Sequence, residues 1–252
     1  MLSTSLDQAQ VVKKELQALA DPVRANNSAW FFKTGLGQYG EGDQFLGIRV
    51  PQQRIVAKQH LDLSLPAVKI LLQSPIHEHR LTAVLILAYQ YKRLKADRDR
   101  KVIVDFYLAN SERINNWDLV DSSASYIWGD WLLRHRATAG KLSTDGRSQL
   151  IRLAKSKNLW QRRISIIATG AFIQVGGFDD TFLIAEILMR DKHDLIHKAV
   201  GWMLREVGKK DDVALKLFLN KHATTMPRTM LRYAIEKFSQ EDRKYYMESA
   251  RG

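Results

Sequence analysis

Residues 156–169 read SKNLWQRRISIIAT, and residues 191–204 read DKHDLIHKAVGWML. Each opens on a short polar run and then turns amphipathic. Ile164, Ile167, Ala168 and Ala171 share one helical face, and Val200, Met203, Leu204 and Val207 share another. That is the spacing of a helix that buries one side. Three more segments have the same form: SPIHEHRLTAVLIL from Ser74, NNWDLVDSSASYIW from Asn115 and TMPRTMLRYAIEKF from Thr225. In the first of these, Leu81, Val84, Leu85 and Ala88 fall on one face. The five starts are separated by 41, 41, 35 and 34 residues. Ser, Asn, Asp and Thr are good N-cap residues, so each start predicts a helix N-terminus.

A two-helix unit recurring at roughly 35 to 45 residues predicts an all-α superhelix, a solenoid of HEAT- or armadillo-like repeats. Such units stack into one curved core with a concave face, here a basic one, suited to a long partner. The alternative is an irregular helical bundle whose spacing is coincidental. No region alternates with a period of two, so the whole chain reads as helical. It reads as one domain over 1–252, with N-terminal helices and a loop in 1–50 and repeats over about 51–252. The loop is TGLGQYGEGDQFLG, whose glycines Gly35, Gly37, Gly40, Gly42 and Gly47 exclude a helix interior. It joins an N-terminal helix pair to a helix opening near Pro51. No Gly-Lys-Ser/Thr follows it, so it is not a phosphate-binding P-loop. A second loop is expected at Ala137–Asp145. Neither reads as a domain linker.

The 252 residues hold 39 Lys and Arg against 27 Asp and Glu, a net charge of +12. An anionic partner follows, nucleic acid before a membrane surface. There is no cysteine, which removes disulfides, iron–sulfur clusters, thiolate zinc and cysteine nucleophiles. No run of 18 apolar residues predicts a membrane span. Met1–Leu16 has no long apolar core, so no signal peptide is expected there and the expected location is the cytoplasm.

Metal-ligating patterns are weak. His77 and His79 are two residues apart, which does not put them on one helix face. His193 and His197 are four apart beside Asp194, a zinc-compatible spacing without HExxH or an identifiable third ligand. Surface or capping histidines are the other reading. Tryptophan is more informative. Trp117, Trp160 and Trp202 lie in successive repeats, with Asp118 and Asp121, Arg162 and Arg163, and Arg205 close by. An aromatic with a charge one turn along can stack a base or sugar and hold a phosphate. Equally, each Trp can plug the joint between stacked helices. Asp121 stands in a stretch without Lys or Arg from Trp117 to Trp131. A carboxylate repels phosphate, but it suits the oxocarbenium-like sugar formed when an N-glycosidic bond breaks. The competing reading is an N-terminal helix carboxylate stabilised by the helix dipole.

The motifs NNWDLVD, NLWQRR, DLIHKAVGWMLREVGKK and MPRTMLRYAIEKF, with FFKTG, FLGIRVP and SPIHEHR, resemble the AlkD-type DNA alkylation repair proteins over about residues 15–245. The resemblance implies a solenoid of HEAT-like repeats and a monofunctional DNA glycosylase that removes cationic N3- and N7-alkylated purines from duplex DNA. In it, Trp117 and Asp121 match the catalytic pair in W-D-x-V-D. Trp202 matches a second sugar-facing tryptophan in GW-x-LRE, and Arg163 matches a DNA-contacting arginine. A tyrosine found in some members falls near Phe31, which cannot donate a hydrogen bond, and the Gly-rich insertion is longer than in the shortest members. The DNA-binding set expected on this basis is Arg163, Arg162, Trp160, Lys198, Arg205, Arg228 and Phe31.

The resemblance further implies that the base stays stacked, rather than being extruded into a pocket as in most glycosylases. Asp121 then stabilises the sugar cation, and the indoles of Trp117 and Trp202 add π density. No cofactor or metal, no membrane and no obligate protein partner is expected. The chain would act as a monomer in a bacterial-type cytoplasm, on the nucleoid when bound to DNA. Two other functions stay open: a non-catalytic DNA-structure binder and a protein–protein scaffold. A carboxylate at position 121 counts against the first, and the +12 charge counts against the second.

Overall fold

The computed structural model describes residues 4–136 and 143–249. Among these, every regular element is a helix, apart from an isolated parallel bridge between Gln44 and Ile76. None of the helices is long and apolar enough to cross a membrane. The chain divides into two compact units, residues 1–123 and 124–252.

The first unit begins with α1 (Ser5–Ala18). The Thr4 hydroxyl accepts from the Asp7 amide and the Asp7 carboxylate accepts from the Thr4 amide, a reciprocal cap at its start. Helix α1 buries Ala9, Val12 and Leu16 along one face. Then come α2 (Pro22–Phe31), capped by Asp21, α3 (Val50–Gln59) with Pro51 in its first turn, and α4 (Leu65–Leu72), capped by Ser64. The N-terminal pair and the helix opening near Pro51 are as the sequence indicates.

Helix α5 (His77–Arg93) is the centre of this unit. It packs on α1, α3, α4, α6 (Asp97–Ala109) and α7 (Trp117–Asp121). Every residue from His77 to Ala88 is buried. The one-sided face expected for this segment is therefore a helix buried all round, because neighbours cover its polar positions too. The Gly-rich loop crosses the start of α5. The Gln44 amide donates to the Pro75 carbonyl and the His77 amide to the Gln44 carbonyl. Gly47 has φ +80°, and a Cβ there would lie 2.2 Å from the Asp21 carbonyl oxygen, so only glycine fits.

The second unit opens with a π-helical turn, Ser125–Gly129, and α8 (Asp130–Arg134). Of the second expected loop, residues 137–142 lie outside the described residues. Its end is helical instead, because the Ser143 hydroxyl caps α9 (Thr144–Ala154). There follow α10 (Leu159–Ala168), α11 (Gly170–Gln174), α12 (Asp179–Leu188), α13 (Asp194–Lys210), α14 (Asp212–His222), α15 (Arg228–Ala234) and α16 (Gln240–Ser249). Helices α9 and α10, α12 and α13, and α14 and α15 succeed one another as pairs. Helix α13 packs on both α10 and α15, and α9 packs on α12. This is the α–α repeat class.

The repeat is also written in hydrogen bonds. The helices begin at His77, Trp117, Leu159, Asp194 and Arg228. Each cap thus falls one or two residues beyond the polar residue that signals it. Ser74, Ser156 and Asp191 instead make the preceding turn. Their side-chain oxygens accept from the amides of Ile76, Asn158 and His193, at 3.1, 3.1 and 2.8 Å. Six residues on, Arg80, Arg162 and His197 reach back to the carbonyls of those same three residues, at 2.9, 2.9 and 2.5 Å. One residue pair, spaced by six, closes the opening turn in three repeats.

Candidate functional site

Helix α7 is only five residues long, and it carries the pattern W-D-x-V-D. Asn116 caps it, accepting from the Trp117 amide at 2.8 Å. Trp117 and Asp121 stand at i and i+4, so they share one face of the helix. Both are half-buried, while Leu119 and Val120 between them are in the core. Asp121 is the last residue of α7. The reading of it as an N-terminal helix carboxylate is therefore corrected. It sits at the end where the dipole disfavours a negative charge. Its charge reaches the buried Tyr107 phenol. Burial pushes that group up, the hydrogen bond to Ser123 opposes the rise, and Asp121 adds to it.

Behind Trp117 stands a stack of rings. Phe32 lies parallel to the indole, with centroids 5.3 Å apart and planes at 17°. Phe45 stacks on Phe32 at 5.1 Å, and His77 stacks on Phe45 at 4.7 Å. Phe31 meets the indole edge-on at 6.0 Å and is 55% exposed. The motifs FFKTG, FLGIRVP and SPIHEHR each supply a ring to this cluster, in which Phe32, Phe45 and His77 are mutual neighbours.

Under these rings lies a charged cluster. The His77 imidazole is bonded through Nε2 to Asp118 Oδ2 at 2.8 Å and through Nδ1 to Asp43 Oδ2 at 3.3 Å. Arg80 donates to Asp43 Oδ1 at 2.6 Å, and the Asn116 amide donates to Asp43 Oδ2 at 3.2 Å. Two carboxylates thus meet two cations. Burial alone would lower the His77 pKa; Asp118 and then Asp43 outweigh it and raise it to about 9. Asp43 stays below the usual carboxylate range against its own burial, through His77 and Arg80. His79, two residues on, has no carboxylate. Burial, then Lys13 and Arg80, take it down to about 4. Both histidines of HEH are buried. Glu78 between them accepts from the backbone amides of Leu46, Gly47 and Ile48, at 2.9, 2.7 and 3.2 Å. That ties the end of the Gly-rich loop down.

The second unit holds the other residues of interest. Trp202 on α13 is half-buried and donates from Nε1 to Glu206 Oε1 at 3.0 Å. Trp160 is 7% exposed and Arg163 is 5% exposed. Arg163 donates to the Leu195 carbonyl at 2.6 Å and so joins α10 to α13. Both residues expected to meet DNA, Trp160 as a stacking surface and Arg163 as a phosphate contact, are thus buried among the repeats. Arg162 pairs with Asp191 at 2.5 Å, and Lys198 pairs with Asp194 at 2.7 Å. Arg205 is shared between Glu206 and Glu236, and Arg228 donates to the Met247 carbonyl at 2.8 Å. His193 caps α13, and His197 closes the turn before it, so this pair is of the capping kind.

Sequence reasoning singled out Trp117 and Asp121, which share one face of α7, but it missed Asp43, Arg80, Asn116 and Asp118 as a unit. They come from the Gly-rich loop, α5 and the start of α7, and no local spacing joins them.

A chain described as a predicted DNA alkylation repair enzyme from Enterococcus faecalis is similar in structure, with a TM-score of 0.63. It is 16% identical, and the match covers 88% of this chain and 97% of that one. At that identity the likeness concerns the fold. No curated protein matches the chain. The family model described as DNA alkylation repair enzyme matches residues 12–238, nearly the whole chain. The protein therefore belongs to the DNA alkylation repair enzyme family, and its role is in the repair of alkylated DNA.

Proposed function

We propose that this protein is a monofunctional DNA glycosylase that hydrolyses the N-glycosidic bond of N3- and N7-alkylated purines in duplex DNA. The observation that carries the reading is the placement of Trp117 and Asp121 on one face of α7, with the indole backed by Phe32. An aromatic face beside a carboxylate is suited to a sugar that is becoming a cation.

In the reaction, the bond from C1′ to the purine nitrogen breaks and its electron pair leaves with the base. An alkylated purine is already cationic, so it departs neutral. The deoxyribose is left as an oxocarbenium ion. Asp121 stabilises that charge, and Trp117 supplies π density beside it. Trp202 is assigned the matching role by the resemblance of GW-x-LRE. Water then adds at C1′ and loses a proton, leaving an abasic site. The lability of the bond selects the lesion, so the base needs no pocket that reads its edge. The excess of basic residues favours duplex DNA as the partner.

The test is to incubate the protein with duplex DNA carrying N7-methylguanine and to assay free base. Release of N7-methylguanine, with uracil and 1,N6-ethenoadenine left in place, supports the proposal. Tight DNA binding with no base released makes the protein a DNA-structure binder instead.

A further inference from the structure

We propose that His77, as an imidazolium, is a positioning residue for the Trp117–Asp121 face, holding α7 through Asp118 and the Trp117 indole through Phe32. The consequence for activity rests on the glycosylase reading, whereas the consequence for the position of Trp117 does not.

The geometry requires the cation. Both ring nitrogens of His77 face carboxylate oxygens, Nε2 toward Asp118 and Nδ1 toward Asp43. A neutral imidazole has one hydrogen for two acceptors, so one nitrogen lone pair would point at a carboxylate. Only the doubly protonated ring satisfies both. The groups facing it come from every neighbouring element. Asp118 comes from α7, and Asp43 and Phe45 come from the Gly-rich loop. Phe32 comes from the end of α2, and Arg80 lies one turn along α5. Glu78 is turned away to the backbone amides of 46–48. Two carboxylates, one guanidinium and one imidazolium then sum to zero in a site where His77 is 2% exposed. Uncompensated charge at such a place is costly.

Two lines run from this ring to Trp117. The first is covalent: Asp118 is the next residue, so its carboxylate fixes the rotation of a helix only five residues long. The second is through the rings. His77 lies 4.7 Å from Phe32, tilted by 40°, and Phe32 is the ring on which the indole rests. A cation against a phenyl ring is held in place as well as packed. Loss of the His77 proton loosens both lines together. Trp117 shifts, and Asp121 on the same face shifts with it.

The test is one pH series read two ways, on wild type and on Asp118→Asn. The first readout is the Trp117 indole N–H resonance, assigned by its loss in Trp117→Phe. The second is single-turnover release of N7-methylguanine from duplex DNA, with uncatalysed loss subtracted. In wild type both should change together with a midpoint near 9. In Asp118→Asn both midpoints should fall toward the ordinary histidine value of about 6.5. The lesion itself loses its N1 proton in this range and is opened by hydroxide, so excision is read as the ratio of wild type to variant at each pH, and the Trp117 resonance, taken without DNA, carries the midpoint. A merely structural His77 would lower the melting temperature without moving a midpoint.

The proposal is overturned if the Trp117 resonance shows no transition near 9 in wild type, or if Asp118→Asn leaves the midpoint in place. If wild type releases no base at any pH, the glycosylase reading fails, and the Trp117 resonance alone decides the role of His77.

Discussion

The Phe32 ring lies flat against the Trp117 indole, 5.3 Å between centroids and 17° from parallel. One face of the indole is thus used by the protein itself. Phe32 in turn packs on both Phe45 and His77, which also stack on each other. The tryptophan is thus set by these rings as well as by the short helix that bears it. Preorganisation of this sort lets a group stabilise charge without reorganising when the charge forms.

Phe32→Leu keeps an apolar side chain and removes the stacking. Aromatic pairs contribute about 0.5–1.5 kcal/mol beyond their buried area. Stability should fall by about that amount, read by thermal unfolding. Single-turnover excision should fall about tenfold while the affinity for duplex DNA is retained. An unchanged excision rate would show that Trp117 needs no backing.

Arg163 and Arg205 separate structure from DNA contact. Arg163→Ala removes a buried donor and leaves the Leu195 carbonyl without it. A cost of about 1–3 kcal/mol is expected from that loss. The salt dependence of duplex binding should stay as it is. Arg205 is shared between Glu206 and Glu236, so Arg205→Ala should likewise lower the melting temperature first. A salt slope reduced by about one unit, with normal stability, would instead mark either arginine as a phosphate contact.

The two histidines of HEH should give stability opposite slopes with pH. His77 is raised from 6.5 to about 9 in the fold. Its contribution is full below pH 6.5 and is lost as pH rises through about 9. His79 is lowered from 6.5 to about 4, and it must charge on unfolding. Its contribution is full above pH 6.5 and is lost as pH falls through about 4. Asp43, held below 3.8, adds a further loss below that value. The melting temperature should therefore peak near pH 6.5. His77→Gln should flatten the alkaline limb, and His79→Gln should flatten part of the acid limb. Identical pH profiles in the variants and wild type would contradict the assignment.

The helical class and the repeats could be read from the sequence because apolar spacing and cap residues are local signals. The helix starts were displaced by one or two residues because Ser74, Ser156 and Asp191 cap a turn rather than the helix itself. Trp117 and Asp121 were legible because a single turn of helix brings them together. The charged cluster was not, since Asp43 reaches His77 from the Gly-rich loop, and nothing in local periodicity joins residues 34 apart. Burial of Arg163 was hidden for a similar reason. An arginine one helical turn after a tryptophan reads as surface until the next repeat covers it. Gly201 in GW-x-LRE shows the same limit. Its glycine is needed because a Cβ there would lie 2.5 Å from both the Met230 carbonyl oxygen and the Tyr233 Cβ, contacts made only when α15 packs on α13.

The central claim is that the Asp121 carboxylate stabilises a sugar cation, and Asp121→Asn tests it most directly, since the change keeps the shape and removes the charge. Single-turnover release of N7-methylguanine from duplex DNA should fall by about 10²-fold or more, the scale of losing one preorganised electrostatic group. DNA affinity should be unchanged or higher, because a phosphate-repelling charge is gone. Excision by the variant at a rate near that of wild type would contradict the account.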